Sequence, residues 1–279
     1  MKYKILVLDL DGTLTNNKKE ITEHTLRTLI DAQERGVKIV LASGRPTYGI
    51  APIAEKLELK KYGGYILSYN GGEITNWQTG ELLYENVLEA DVLPYLYQCA
   101  KDNQFAIVTY KDKYVLTEHP DDEYVLKEAI LNVMETKKVD NFLDAIDFPV
   151  AKCLIVGEAT RLAVLEKEMY EVLKDRMGVY RSEPYFLELV PKGIDKAQSL
   201  AVLLEKIGAT KEEMIAVGDG FNDLSMIKFA GLGVAMANAQ EVVRQSADYI
   251  TLSNEEDGVA VFLEELFWGR YTWYKKSIS

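Results

Sequence analysis

The stretch "ILVLDLDGTLT", Ile5 to Thr15, ends an apolar run with two carboxylates, Asp9 and Asp11, one residue apart and with Gly12 directly behind them. Side chains alternate along extended backbone, so Asp9 and Asp11 can point the same way while Leu10 turns into the core. Gly12 permits a tight departure in which backbone amides approach an anion. A further carboxylate, Asp219, stands in "GDGFND", and a small polar residue, Ser43, in "LASGR". Carboxylates gathered at one place repel one another unless a hard cation neutralises them, and an oxygen-only site with open positions suits Mg²⁺. Such a set can use one carboxylate as an activated nucleophile and its neighbour two residues on to move a proton.

These residues need strands that end together. Ile5 to Leu8 is a continuous apolar run, the pattern of a parallel strand covered on both faces. Ile21 to Arg35 follows as a predicted helix, with Leu26, Leu29, Ile30 and Gln33 at helical spacing and Gly36 just beyond its end. Val37 to Leu41 repeats the strand before Ser43. Near the other end, Asp195 is a predicted N-cap for a helix bearing Leu200, Leu203, Leu204 and Ile207, closed by Gly208, and the strand Met214 to Val217 then leads into "GDGFND". This alternation predicts a doubly wound, Rossmann-like α/β core with a parallel sheet, whose strand ends are where ligands bind.

Ser43 and Lys196 stand 153 positions apart, far more than one strand-helix-strand step requires. The intervening sequence reads as α+β. "FAIVTYKDKYVLTE" predicts a hairpin turning at Lys111 to Lys113, "AKCLIVGE" and "YRSEPYFLELV" predict further strands, and Leu162, Leu165, Met169, Val172 and Leu173 form a helical stripe. The expected organisation is a core of residues 1–84 and 189–279 interrupted by an insert of residues 85–188. Its mostly antiparallel sheet is expected to carry helices on one face.

With 279 residues, 48% of them hydrophobic, the chain can bury a full core. A net charge of -12, from 44 acidic and 32 basic residues, argues against nucleic acid as a partner. Cys99 and Cys153 have no metal-type spacing and read as buried apolar residues of a reducing compartment. Neither a secretory signal nor a membrane span is legible, so the expected location is the cytoplasm. Oligomeric state leaves no trace in the pattern.

"DLDGT", the "LASGR" turn, Lys196 at a helix start and "GDGFND" together resemble, in order, the four motifs of the haloacid dehalogenase (HAD) superfamily of phosphatases. The long insert between the second and third motifs resembles its Cof-like branch, which carries a large α+β cap. The resemblance implies a Mg²⁺-dependent phosphatase acting on small phosphorylated metabolites, sugar phosphates foremost, through an aspartyl-phosphate. On that basis Asp9 is the nucleophile and Asp11 the acid and base. Asp9, Asp11 and Asp219 hold the metal, and Lys196 neutralises the nucleophile and the phosphoryl group. Ser43, Gly44, Asn222 and the Leu10 backbone contact phosphate, and Asp223 partners the metal or the lysine. The insert is expected to select the substrate.

Other readings fit less well. Asp-Gly pairs also punctuate turns. An EF-hand would place Glu20 twelfth from Asp9 but has Leu14 where its glycine belongs. Asp223 replaces the third glycine of a dinucleotide fingerprint. A phosphotransferase or phosphomutase, and a phosphate-binding module without turnover, remain alternatives, though a pure binder has no need of Asp11. Arg45 and the "YNGG" turn, Tyr69 to Gly72, fall near the same rim, where substrate contact and a purely structural turn both stay open. His24 and His119 read as surface residues without partners, and Trp268, Trp273 and Tyr274 as terminal packing.

Overall fold

The computed structural model describes residues 2–269. Its elements begin with β1 (Ile5–Leu8), α1 (Glu23–Glu34), β2 (Lys38–Ala42), α2 (Thr47–Lys56), α3 (Leu59–Tyr62), β3 (Tyr65–Ser68), β4 (Glu73–Asn76) and β5 (Leu82–Glu85). Then come α4 (Leu93–Asp102), β6 (Ala106–Lys111), β7 (Tyr114–Thr117), α5 (Glu123–Leu131), β8 (Glu135–Lys138), β9 (Cys153–Val156), α6 (Ala159–Leu173), β10 (Met177–Glu183) and β11 (Phe186–Pro191). The chain closes with α7 (Lys196–Ile207), β12 (Met214–Gly218), α8 (Leu224–Phe229), β13 (Leu232–Ala235), α9 (Glu241–Ser246), β14 (Tyr249–Ile250) and α10 (Gly258–Trp268). No helix among the described residues is long and apolar enough to cross a membrane.

Two compact units share these elements. Residues 2–44, 50–84 and 195–269 form the core, and residues 45–49 and 85–194 form the second unit. A boundary after Glu188 would cut β11, which stays paired with β10 to Pro191. The expected junction therefore moves to residues 194–195.

In the core an eight-stranded sheet runs in the order β14-β13-β12-β1-β2-β3-β4-β5. Pairing is parallel from β14 to β3, and β4 lies antiparallel to β3. The chain winds outward from β1 to β2 and β3, then returns to β12 on the other side of β1. The strand order reverses there, and that reversal is the switch point of a doubly wound sheet. Burial explains why β1 is apolar throughout. Leu6 and Leu8 pack with Leu29 of α1, Ile50 of α2 and Phe262 of α10, whereas Ile5 and Val7 pack with Leu200, Leu203 and Leu204 of α7. Each face thus buries its own helices, at roughly 1.5–3 kcal/mol per large aliphatic side chain.

The second unit holds a six-stranded sheet in the order β10-β11-β9-β6-β7-β8, antiparallel except for β7 with β8. The hairpin turns at Asp112, whose φ is 53°, as the sequence led us to expect. Helices α4 and α6 pack on one face through Leu96, Leu162, Leu165 and Met169, against Ile107, Cys153, Ile155 and Leu187. The expectation that all helices share this face fails for α5. Its Glu128 accepts a hydrogen bond at 2.6 Å from Tyr110, whose side chain alternates away from Ile107. Burying Val125, Glu128 and Ala129 therefore sets α5 over the opposite face. Cys99 and Cys153 are both free thiols.

His24 was expected to lack a partner, and the structure corrects this. On α1 its Nδ1 lies 3.3 Å from Asp257 Oδ2 and its Nε2 3.1 Å from Glu264 Oε1, joining the start of α1 to the N-cap and the middle of α10. Thr22 and Thr25 also donate to Asp257 Oδ1. Trp268 packs against the core beneath Arg35, while Trp273 and Tyr274 lie outside the described residues.

The hydrogen bond to Glu264 raises the His24 pKa above its ordinary value, burial opposes the rise, and Asp257 adds to it. A raised pKa means that the folded state holds the proton more tightly than the unfolded chain. The stabilisation is therefore full below the ordinary value of 6.5 and is lost as pH climbs through the folded value. Thermal melts of His24→Gln should thus fall below wild type most clearly under pH 6.5 and converge with it in alkaline buffer. A deficit independent of pH would mean that the pair contributes by packing alone.

Candidate active site

Three core segments converge at the carboxyl ends of the parallel strands. Asp9 follows β1, and its backbone N–H donates to Val217 O of β12 at 3.0 Å. Ser43 follows β2, buried, with its N–H donating to Leu67 O. Asp219 and Asp223 follow β12 on a short 3₁₀ turn. Lys196 opens α7, behind the Asp195 side chain that accepts from Gln198 N and so caps the helix as expected.

The fully buried Lys196 ties these segments together. Its Nζ donates to Asp9 Oδ1 at 2.8 Å, to Asp223 Oδ1 at 2.6 Å and to the Ala42 carbonyl at 2.9 Å. All three ammonium hydrogens are thereby used. Burial alone would lower its pKa, but Asp223 and Asp9 carry it above the ordinary lysine value. Asp9 is pushed well above the usual carboxylate range by burial and by Asp223, with Lys196 opposing and Asp219 reinforcing the rise.

The two late aspartates differ in what their oxygens do. Asp223 Oδ1 is taken by Lys196, and Oδ2 accepts from the N–H groups of Asp219 and Gly220 at 3.0 and 2.9 Å. The Asp219 side chain accepts only from Thr13 Oγ1 among the described residues, at 2.7 Å on Oδ1, and burial pushes its pKa up to about 6. Its other oxygen lies against Gly12, where a Cβ would stand 2.5 Å from Oδ2. Gly12 also has φ +88°, so no other residue fits there without strain.

The donor set suits a hard cation. Carboxylate oxygens of Asp9, Asp219 and Asp223 lie within 4.8 Å of one another, with no nitrogen or sulfur among them. One lysine charge faces three carboxylates; burial first, and then the neighbouring carboxylates, hold Asp9 and Asp219 above their ordinary values. With both Asp223 oxygens engaged, Asp9 and Asp219 are the groups open to a metal.

The expected residues are not all brought into this cluster. Asp11 is about a third exposed, and its Oδ1 pairs with Lys19 Nζ at 2.7 Å. Leu10 is wholly buried, so only its backbone can serve a ligand. Gly44 lies beside Asn70, and Asn222 donates to Asn70 Oδ1 at 3.0 Å. Thr13, Lys19, Asn238 and Asn254 were given no role from the sequence. Asn238 Nδ2 donates to the Gly12 carbonyl at 2.8 Å, Asn254 N donates to Asn238 Oδ1, and Asn254 Nδ2 donates to the Thr15 carbonyl. Both ends of the turn after Asp11 are therefore pinned. Thr13 was visible within "DLDGT", but Asn238 lies 226 positions from Gly12 and nothing local marks it.

A family of haloacid dehalogenase-like hydrolases matches residues 6–263, which span both halves of the site and the insert. The chain belongs to that family. This HAD hydrolase is 60% identical to a haloacid dehalogenase-like hydrolase from Bacteroides thetaiotaomicron of known structure, with a TM-score of 0.93 over 95% of this chain and 100% of the other. It is 32% identical to the 5-amino-6-(5-phospho-D-ribitylamino)uracil phosphatase YcsE of Bacillus subtilis, over 92% of this chain and 93% of that one. A structurally similar sugar phosphatase of HAD subclass IIB shares 25% identity, with a TM-score of 0.78 over 94% of this chain and 98% of its own. The α/β core with an inserted α+β domain is the fold that the motifs of the Cof-like branch led us to expect.

Replacing Lys196 by methionine leaves Asp9 and Asp223 buried and uncompensated, which should cost about 3–5 kcal/mol in the metal-free protein. Urea unfolding should show that loss at neutral pH. The loss should shrink in acid, where Asp9, already held high, takes up a proton. An unchanged midpoint would show that Lys196 does not hold the cluster.

Proposed function

We propose that this HAD hydrolase is a Mg²⁺-dependent phosphatase of small phosphorylated metabolites, sugar phosphates foremost, working through an aspartyl-phosphate on Asp9. The observation that carries this reading is the buried Lys196 bridge between Asp9 and Asp223, beside the less committed Asp219. It makes Asp9 a desolvated carboxylate held by a fixed cation at the rim of a parallel sheet.

In this reaction an Asp9 oxygen attacks phosphorus, and the ester P–O bond breaks. The departing alkoxide takes a proton from Asp11. Water then gives a proton to Asp11 as its oxygen attacks phosphorus and the P–O bond to Asp9 breaks. The sum is ester plus water giving alcohol plus inorganic phosphate. Lys196 keeps Asp9 oriented and offsets its charge, while Ser43, the Gly44 amide and Asn222 hold phosphoryl oxygens. Asp9 and Asp219 would hold the Mg²⁺, which supplies charge neutralisation for the phosphoryl group when bound.

The substrate class rests on chemistry shared by two similar proteins. One is a sugar phosphatase, and the other is named for a phosphorylated ribityl group. Both names describe a phosphate carried by a polyhydroxylated molecule. The net charge of -12 weighs against a nucleic-acid partner, and the two free thiols favour a cytoplasmic setting.

Asp9→Asn preserves volume but gives a poor nucleophile. Phosphate release should fall by more than about 10³-fold while circular dichroism stays that of wild type. Substantial remaining turnover would remove the covalent step. Activity should also vanish with chelator and return with Mg²⁺, whereas Ca²⁺, with longer and looser coordination, should support little. Chelator-resistant hydrolysis would take the metal out of the reaction.

A further inference from the structure

The turn Tyr69-Asn70-Gly71 is built at a conformational cost. Three consecutive residues are left-handed, with φ of 52°, 56° and 106°, and two of them are not glycine. Such residues are strained and persist where the surroundings over-determine them. Here the surroundings are the site itself. Asn70 N donates to the Ser43 carbonyl at 2.9 Å, directly before Gly44. On the other side Ser199, one turn along α7 from Lys196, donates from Oγ to the Gly71 carbonyl at 2.7 Å. A Cβ on Gly71 would stand 2.5 Å from that hydroxyl. The turn is thus fastened to both the Ser43 loop and the helix that carries Lys196.

These attachments aim one carboxamide. Asn70 Oδ1 accepts from Asn222 Nδ2 at 3.0 Å. Its Nδ2 sits over Gly44, where a Cβ would meet it at 2.9 Å, so Gly44 must be glycine for Asn70 to lie there. Nδ2 donates to no acceptor among the described residues, although the side chain is half-buried. A donor pair thus stands between Gly44 and Asn222, the two groups read as the phosphate side.

We propose that Asn70 is a phosphoryl-binding residue whose Nδ2 donates to a non-bridging phosphoryl oxygen between Gly44 and Asn222. The proposal rests on the phosphatase reading above. Oδ1 fixes the orientation by accepting from Asn222, and Nδ2 faces the anion. A neutral donor suits this position because Lys196 already supplies the buried cation. The same pairing makes Asn70 a brace for Asn222, so the two side chains act as one unit.

The alternative is that Asn70 serves only its left-handed backbone, which asparagine tolerates well. Glycine separates the two, since it adopts that conformation more readily and lacks the carboxamide. The experiment compares wild type, Asn70→Gly and Asn70→Asp as full chains with Mg²⁺. It measures kcat/KM on an aryl phosphate and orthovanadate affinity by calorimetry. Loss of a hydrogen bond to a charged group should lower kcat/KM and vanadate affinity by about 10- to 100-fold in Asn70→Gly, with its unfolding midpoint kept. Asn70→Asp, which places a carboxylate against the anion, should fall further still. Wild-type turnover and vanadate affinity in Asn70→Gly would overturn the proposal, as would an Asn70→Asp variant that outperforms it. A wild-type chain that neither hydrolyses phosphate esters nor binds orthovanadate would overturn the phosphatase reading, and this proposal with it.

Discussion

A fully buried ammonium bound to two carboxylates is the constraint on which the rest of this molecule depends. Taking Lys196 out of water costs several kcal/mol, and only close partners at good geometry offset that. Asp9, Asp223 and the Ala42 carbonyl provide them from three separate strand ends. β1 must therefore lie between β2 and β12, and α7 must begin at their shared rim. The observed strand order satisfies both requirements. It also leaves room in the sequence for the insert. The chain departs after β5 and resumes at Asp195, so the second half of the core starts at the residue that caps the Lys196 helix.

The same arrangement gives two nearby aspartates opposite properties. Asp223 is saturated by the lysine and by two backbone amides, so it acts as fixed negative charge. Asp219 starts only four residues earlier, yet it accepts one hydroxyl and turns its other oxygen toward Gly12. What separates them is the 3₁₀ turn, which folds the Asp223 carboxylate back onto the amides of Asp219 and Gly220 and leaves the Asp219 side chain at the rim. Gly12 is the counterpart on the β1 side. A side chain there would occupy the space of the Asp219 carboxylate, so the glycine behind the paired acids is required by a residue more than two hundred positions away.

That example also shows why some of the structure was legible in the sequence and some was not. Asp195, Lys196 and Gly208 could be read because capping and periodicity are local, and a lysine in a first helical turn is an unfavoured charge that invites a functional reason. Asp9 and Asp219 could be read because each ends an apolar strand. The His24 contacts with Asp257 and Glu264, the Asn238 contact with Gly12 and the Lys19 contact with Asp11 join segments whose spacing carries no periodic signal. The insert's helices were expected on one face of its sheet, and α5, which the sequence did not mark, departs from that for a related reason: helical periodicity shows that a face is buried, not which side of the sheet receives it. Only the long-range contact between Glu128 and Tyr110 decides that.

Solvent access orders the acidic groups in a way that matches the roles proposed for them. Asp9 is buried, and desolvation with fixed charges around it keeps competing water from its carboxylate. Asp219 is intermediate, suited to a group that must admit a hydrated cation. Asp11 is the most open of the three and is paired with Lys19, itself exposed. A group that must exchange protons with water needs that openness, since a proton taken from water in the second step has to be matched by one given to the alkoxide in the first. Burying Asp11 as deeply as Asp9 would raise the cost of its ionised form and cut its exchange with solvent. β1 ends at Leu8, and the turn that follows it carries Asp9 buried and Asp11 partly exposed, with the Gly12 carbonyl just beyond them held by Asn238.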